Sequence, residues 1–112
     1  MKHRFTVEWM PFQAAAGVDE ATMLRASRAV QFEFLDRQDG FVRRELLKGP
    51  GDTWFDMLYW ETREAAEQAL RNAASSPACS RYFELIAPTG DDGPAAWMLH
   101  LEQVESYCLG PR

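Results

Sequence analysis

The sequence predicts an α+β fold in which a four-stranded antiparallel sheet carries its helices on one face. Two strand-like runs, residues 41–47 and 54–60, flank a segment rich in Gly, Pro and Asp, and this pattern indicates a β-hairpin. An amphipathic helix precedes the hairpin, an alanine-rich helix follows it, and one further strand-like run lies near each end of the chain. Right-handed crossovers then place both helices on the same face, so the order β-α-β-β-α-β is ferredoxin-like.

Residues 4–12 form the first predicted strand, and residues 19–38 form the helix after it. Pro11 suits the end of a strand because it has no N–H to donate. Asp19 is a suitable N-cap, the helix is expected to reach about Gln38, and Gly40 follows as the stop. On the strand, alternation separates Phe5, Val7 and Trp9 from Thr6, Glu8 and Met10. On the helix, the predicted apolar stripe is Met23, Ala26, Val30 and Phe34.

The hairpin is apolar on both faces. In its second strand, Trp54, Leu58 and Trp60 alternate with Phe55, Met57 and Tyr59. A strand with one face in water would alternate apolar and polar residues, so both faces are expected to be covered. The helices can cover only one of them. We therefore expect the open sheet face to pair with a second copy of the chain in a homodimer.

The rest of the chain completes the predicted order of elements. Thr62 is a suitable N-cap for a helix over residues 63–74, and Ser76 with Pro77 begins a short helix that ends near Ile86. Residues 88–94 form a polar, turn-rich loop, and residues 96–104 read as the last strand. We expect one domain spanning residues 1–112, with a core over about 4–104 and a tail over 105–112.

Composition and charge exclude several classes of protein. The 112 residues include 17 acidic and 12 basic side chains, and the net charge of −5 argues against a nucleic-acid surface. The first residues lack the apolar core of a secretory signal, and no run approaches the roughly 20 apolar residues of a membrane span. Cys79 and Cys108 have no metal or redox spacing. A cytoplasmic protein with reduced thiols is the expectation.

The chain resembles the dimeric α/β-barrel superfamily, and within it the antibiotic biosynthesis monooxygenase (ABM)-like proteins. The residues that carry the resemblance are Gly40-Phe41-Val42, Glu45-Leu46-Leu47, Tyr59-Trp60-Glu61, the alanine-rich helix and Ser75-Ser76-Pro77-Ala78-Cys79. The resemblance implies that two sheets form a barrel across a dimer and that a ligand binds between the sheet and the helices of each subunit. Members include cofactor-free oxygenases of anthrones and quinols, haem-degrading enzymes, muconolactone isomerases and stress-response proteins, and the fold alone does not choose among them.

His100 is the first candidate for a catalytic base. It lies in the predicted last strand on the same face as Met98 and Glu102, and an imidazole suits proton transfer near neutral pH. The structural alternative is a histidine at the dimer seam, satisfied by a carbonyl oxygen or by Glu102.

Glu45 and Asp56 are the next candidates. If residue 47 pairs with residue 54, the two carboxylates lie opposite each other on one face, and their repulsion raises one pKa. The alternative is an ion network of Arg43, Glu45 and Asp56 at the dimer interface. Glu8 and Arg4 on the first strand are candidates of the same rank, with a solvated strand edge as their structural alternative.

Aromatic side chains are candidate walls for a flat substrate. The set consists of Trp9, Trp60, Tyr59, Phe34 and Trp97, with Trp54 as a further member. The alternative is that these aromatics are simply core. No histidine lies between residues 62 and 86, where the haem-degrading relatives carry their iron ligand, so haem is disfavoured. No cofactor and no metal are expected.

The leading functional prediction is a cofactor-free monooxygenase of an anthrone- or quinol-type aromatic. A base would remove a proton from the substrate, and the carbanion would pass an electron to O₂. The alternatives are a non-catalytic small-molecule-binding or stress-related homodimer and a lactone isomerase-like enzyme.

Overall fold

The computed structural model describes residues 3–88 and 98–111. Its strands are β1 (Thr6–Gln13), β2 (Phe41–Lys48), β3 (Thr53–Trp60) and β4 (Leu99–Glu102), and its helices are α1 (Glu20–Glu33), α2 (Arg63–Ala73) and α3 (Pro77–Glu84). The strands form one antiparallel sheet in the order β2-β3-β1-β4. This topology confirms the predicted ferredoxin-like α+β fold. None of the helices within the described ranges is both long and apolar enough to cross a membrane.

The predicted helix starts are confirmed by side-chain caps. Asp19 Oδ1 accepts a hydrogen bond from the Thr22 N–H at 2.8 Å, and Thr62 and Ser76 cap α2 and α3 in the same way. The predicted end of α1 is wrong, because the α-helix stops at Glu33 and a 3₁₀ turn over Leu35–Arg37 follows. Phe34 and Leu35 are both buried there. The helix is broken at Phe34, whose φ of −127° and ψ of −64° are not helical, and this break lets both neighbouring side chains enter the core.

The hairpin register differs by one residue from the pairing of 47 with 54. Leu47 pairs with Phe55 and Lys48 with Trp54, and the Gly49 N–H donates to the Thr53 carbonyl at 2.9 Å to close the turn. A slip of one residue exchanges the two faces of a strand relative to its partner. The β2 residues on the helix-facing side are therefore Arg44, Leu46 and Lys48, and those on the opposite side are Arg43, Glu45 and Leu47.

The two faces of the sheet have different surroundings. The helix-facing side carries the core, in which Met10, Phe12, Trp54, Leu58 and Trp60 are buried against the helices. We call the other side the open face. Its residues are Val7, Trp9, Pro11, Arg43, Glu45, Leu47, Phe55, Met57, Tyr59, Leu99 and Leu101. The predicted division of the first strand and of the second hairpin strand into faces is confirmed.

Gly40 joins α1 and its 3₁₀ turn to the sheet at a point of close packing. Its φ is +80°, and a Cβ built on it would lie 2.6 Å from the Cβ of Ala65 on α2. The Gly40 carbonyl also accepts the Glu61 N–H at 2.7 Å. Only glycine combines this backbone conformation with this close approach.

Candidate functional site

A cleft of about 60 Å³ lies between the sheet and the three helices. Its walls are mostly apolar and include Phe34 from the end of α1 and the half-buried side chains of Leu70, Phe83 and Met98. The polar side chains that line it are Glu8, Arg44, Asp56, Trp60, Cys79 and Tyr82. Cavities of roughly 150 Å³ hold benzene, so this volume admits only water unless side chains move.

Arg44, Asp56 and Tyr82 form a buried polar cluster on one wall of the cleft. Arg44 Nε and Nη2 donate to the two carboxylate oxygens of Asp56 at 2.9 and 2.8 Å, and the Tyr82 hydroxyl donates to Asp56 Oδ2 at 2.8 Å. Arg44 Nη1 donates to the Ser27 carbonyl of α1 at 2.9 Å. The side chains of Arg44 and Asp56 are only 6% and 3% exposed. This cluster ties the sheet to α1 and α3.

The electrostatics of the cluster keep Arg44 charged and Tyr82 neutral. Burial by itself lowers the pKa of Arg44, but the hydrogen bonds and charge of Asp56 outweigh burial and raise it. Burial, followed by the negative charge of Asp56, raises the pKa of Tyr82 well above its ordinary value. Burial also raises the pKa of the Cys79 thiol, against the smaller opposing effects of Ser76 and Arg44. The Tyr82 hydroxyl is therefore a permanent donor in this site.

Glu8 and His100 form the second polar pair of the site. They are direct cross-strand partners on β1 and β4, and His100 Nε2 lies 3.3 Å from Glu8 Oε1. Their side chains are 13% exposed for His100 and 9% for Glu8. Glu8 lines the cleft, whereas His100 lines a separate groove on the surface. Of the two, Glu8 is the group that a ligand in the cleft would meet.

Trp60 contributes a hydrogen-bond donor that no group satisfies within the described structure. Its side chain is 1% exposed, lines the cleft, and leaves Nε1 without an acceptor. A buried N–H without a partner costs about 1–3 kcal/mol, so such groups call for an explanation. Because Nε1 is itself buried, a ligand oxygen in the cleft would satisfy it only after neighbouring side chains move.

Solved structures share this architecture. SnoaB, a cofactor-independent oxygenase from Streptomyces nogalater, matches with a TM-score of 0.65 and 19% identity over 98% of this chain and 100% of its own. A candidate antibiotic biosynthesis monooxygenase from Bordetella bronchiseptica matches with a TM-score of 0.69 and 14% identity, over 92% of this chain and 98% of its own. A protein of unknown function from Nitrosomonas europaea matches with a TM-score of 0.68 and 12% identity, over 97% of this chain and 98% of its own. The chain has the ABM-like fold.

The ABM-like resemblance found in the sequence is thus confirmed at the level of the fold. No protein-family model and no curated protein matches the sequence. Sequence identities below 20% show a shared fold only, and a fold does not determine which reaction a protein catalyses.

Within the ABM-like fold, the predicted aromatic wall divides between the two faces of the sheet. Trp60 and Phe34 line the cleft as expected. Trp9 and Tyr59 lie on the open face, where Trp9 stacks on Phe55 with ring centroids 5.2 Å apart, so their placement in the cleft is wrong. Odd and even positions of one strand cannot share a face. Trp97 lies outside the described residues.

The predicted juxtaposition of Glu45 and Asp56 is also wrong, because the register places them on opposite faces. Glu45 is on the open face, 3.4 Å from the Nη2 of Arg43, and Asp56 pairs with Arg44 instead. The expected three-membered network of Arg43, Glu45 and Asp56 therefore does not form.

His100 shares a face of β4 with Glu102, as the sequence predicted, and this is the helix-facing side of the sheet. Its expected satisfaction by a carbonyl oxygen or by Glu102 is contradicted, because its partner is Glu8 and Glu102 pairs with Arg4 at 3.0 Å. The structural alternative for Glu8, a solvated strand edge, is wrong as well, since Glu8 is 7% exposed.

Two residues of the site were not found from the sequence. Arg44 could have been found only with the correct hairpin register, because Arg43 beside it presents the same chemistry on the other face. In the sequence, Tyr82 groups with the apolar residues Phe83 and Ile86 of α3, and nothing there indicates a partner for its hydroxyl. Within residues 3–88 and 98–111, no group of three His, Cys, Asp or Glu side chains could hold a metal ion.

Proposed function

We propose that the protein is a cofactor-independent monooxygenase that binds a flat aromatic of anthrone or quinol type in the cleft. The observation that carries this proposal is a mostly apolar cleft that is lined by the Glu8 carboxylate and by Trp60, whose buried Nε1 has no acceptor within the described structure. A donor and a proton acceptor in one mostly apolar site suit a substrate with a carbonyl oxygen and an acidic C–H bond. The description of SnoaB as a cofactor-independent oxygenase supports the same class.

Glu8 is the proposed catalytic base, in place of His100, Glu45 and Asp56. Asp56 is held by two hydrogen bonds from Arg44 and one from Tyr82, and Glu45 lies on the other face. Glu8 accepts the proton as the substrate C–H bond breaks. The negative charge then moves to the substrate oxygen, and the Trp60 N–H bond to it strengthens because hydrogen bonds to charged acceptors are stronger.

The carbanion then reacts with O₂ without a metal. One electron passes from the carbanion to O₂, and the two radicals combine through a new C–O bond to form, after protonation, a hydroperoxide. The O–O bond breaks with loss of the remaining C–H proton, so that CH₂ and O₂ become C=O and H₂O. The apolar walls favour charge spread over the aromatic system rather than a hydrated anion.

Oxygen uptake by chelator-treated protein with anthrone tests this function. Trp60→Phe keeps an aromatic ring, although a smaller one, and removes the donor, and we expect it to lower the rate by roughly 100-fold. Glu8→Gln should abolish the protein-dependent rate. Trp54→Phe is the matched control, because Trp54 is equally buried but stacks on Phe12 away from the cleft. Equal rates for the protein and for buffer, across anthrones and hydroquinones, would rule the function out.

The volume of the cleft favours a second candidate, a non-catalytic small-molecule-binding or stress-related homodimer. Ligand pockets generally measure at least roughly 300 Å³, against about 60 Å³ here. Phe83→Ala removes a half-buried ring from the cleft wall and should tighten anthrone binding if the ring must move for entry. Phe32→Ala removes an exposed ring of α1 as the control. Tight binding of anthrone by the wild type and by Phe83→Ala, without oxygen uptake by either, would favour this candidate.

The proposed assembly is a homodimer that buries the open face. Leu99 and Leu101 of β4 are about half exposed, and Trp9 and Phe55 lie beside them on the same face. Apolar surface of this kind is stabilised by contact with a partner. A second copy presents the same residues, so a twofold interface matches apolar groups with apolar groups.

A further inference from the structure

The cleft and the surface are connected through one pair of side chains. A surface groove of about 380 Å³ lies at the β4 end of the sheet and is lined by His100 together with Glu61 and Glu102. Glu8 lines the cleft and not this groove, and His100 lines the groove and not the cleft. Their 3.3 Å contact is therefore the link between the two spaces.

A buried base needs such a link. Glu8 must release each proton that it accepts before it can act again, and its side chain is 9% exposed. Among the described residues, His100 is the hydrogen-bond partner of Glu8. An imidazole can accept a proton at one nitrogen and release a proton from the other, and it does so near neutral pH more readily than any other side chain.

We propose that His100 is a proton relay that carries the substrate proton from Glu8 to the groove; this inference rests on the proposed function. When the Glu8 O–H bond breaks, an N–H bond forms at Nε2 and leaves a carboxylate beside an imidazolium. The imidazolium then gives its Nδ1 proton to water in the groove, and exchange with water returns the neutral ring from the Nε2–H to the Nδ1–H tautomer, so that Nε2 can accept the next proton. No electron moves in these steps.

Charged side chains line the groove around His100. Glu102 on β4 pairs with Arg4 at 3.0 Å, and Glu61 pairs with His3 at 3.2 Å. Arg63 at the start of α2 also lines the groove. Acidic and basic groups therefore both surround the outer side of His100, and the inner side meets Glu8. His3 occupies the same groove without contacting Glu8, which makes it a matched control.

Hydrogen–deuterium exchange at the acidic C–H bond of anthrone tests the relay without oxygen. Exchange in D₂O under argon is followed by NMR for the wild-type protein, His100→Gln, His3→Gln and Glu8→Gln. A glutamine at position 100 can still donate to Glu8 but cannot carry a proton. We expect His100→Gln to keep the affinity for anthrone, to lower the exchange rate by roughly tenfold or more, and to recover with added imidazole. His3→Gln should exchange like the wild type.

The outcomes separate the relay from the proposed function. Wild-type exchange that Glu8→Gln abolishes and His100→Gln leaves unchanged would overturn the relay and keep Glu8 as the base. If His100→Gln lowers the exchange rate and added imidazole does not raise it again, His100 has only a structural role and the relay is overturned. No exchange above buffer by the wild-type protein would overturn the proposed function, and the relay with it.

Discussion

Arg44 and Asp56 meet diagonally across β2 and β3 in a two-pronged ion pair, with nitrogen–oxygen distances of 2.9 and 2.8 Å. Arg44 pairs in register with Leu58 and Asp56 with Leu46, so the charges lie one step apart on the helix-facing side. Because both side chains are almost fully buried, neither can be hydrated if the other is removed. The pair fixes the wall of the cleft that also holds Tyr82.

Breaking this pair should be far more costly than replacing it. Arg44→Met or Asp56→Leu alone leaves a buried charge, and we expect each to lower the free energy of unfolding by about 3–5 kcal/mol. The double variant leaves neither charge and should recover most of that loss. Urea unfolding of the four proteins gives the interaction energy of the pair.

Arg63→Met provides the control for these variants. Arg63 lies 3.6 Å from Glu67 in an exposed pair on α2, and its loss should cost no more than about 0.5 kcal/mol. Additive effects of the two single substitutions at positions 44 and 56 would contradict the coupling.

The raised pKa of Tyr82 predicts a loss of stability at alkaline pH. Tyrosine in the unfolded chain ionises near pH 10, whereas Tyr82 in the folded protein keeps its proton to higher pH. The unfolded state therefore releases a proton first as the pH rises, and stability falls above about pH 10 by up to about 1.4 kcal/mol per pH unit. Tyr82→Phe should flatten this decline between pH 9.5 and 11. Tyr107→Phe, in the exposed tail, should leave it unchanged.

The fold followed from the sequence because each element carried its own local signal. Asp19, Thr62 and Ser76 are side-chain caps that hydrogen-bond to the next turn, and their positions set the helix starts to within a residue. A segment rich in Gly, Pro and Asp between two strand-like runs located the hairpin. These signals are local and do not depend on knowing what packs against them.

The candidate site was predicted only in part because it depends on the hairpin register. Both faces of β2 carry charged side chains, Arg43 and Glu45 on one and Arg44 and Lys48 on the other. Alternation of polar and apolar residues therefore does not reveal which face meets the helices. The turn after Lys48 accommodates more than one loop length. Two contacts with the helices favour the observed face: Arg44 donates to the Ser27 carbonyl of α1, and the Tyr82 hydroxyl of α3 donates to Asp56.

Replacement of Gly40 should test the close approach of α2 to the start of β2. Gly40→Ala introduces both backbone strain at φ +80° and a Cβ that would lie 2.6 Å from the Ala65 Cβ. We expect a loss of about 2–4 kcal/mol in the free energy of unfolding. Gly17→Ala has a similar φ of +83° with no atom within 4 Å of the new Cβ, and should cost only about 1–2 kcal/mol. Equal losses in denaturant unfolding would mean that the contact with Ala65 relaxes freely.

A charge on the open face should dissociate the proposed homodimer. Leu101→Glu places a carboxylate on the open face beside Val7, and a twofold interface would contain the substitution twice. Burial of an unpaired carboxylate is strongly unfavourable, so the variant should sediment as a single chain of 12.8 kDa while the wild type has twice that mass. Phe32→Glu changes an equally apolar residue that is 65% exposed on α1, and it should leave the mass unchanged. If the wild-type protein sediments as a single chain at micromolar concentration, the proposed homodimer is wrong and the open face is not buried by a second copy.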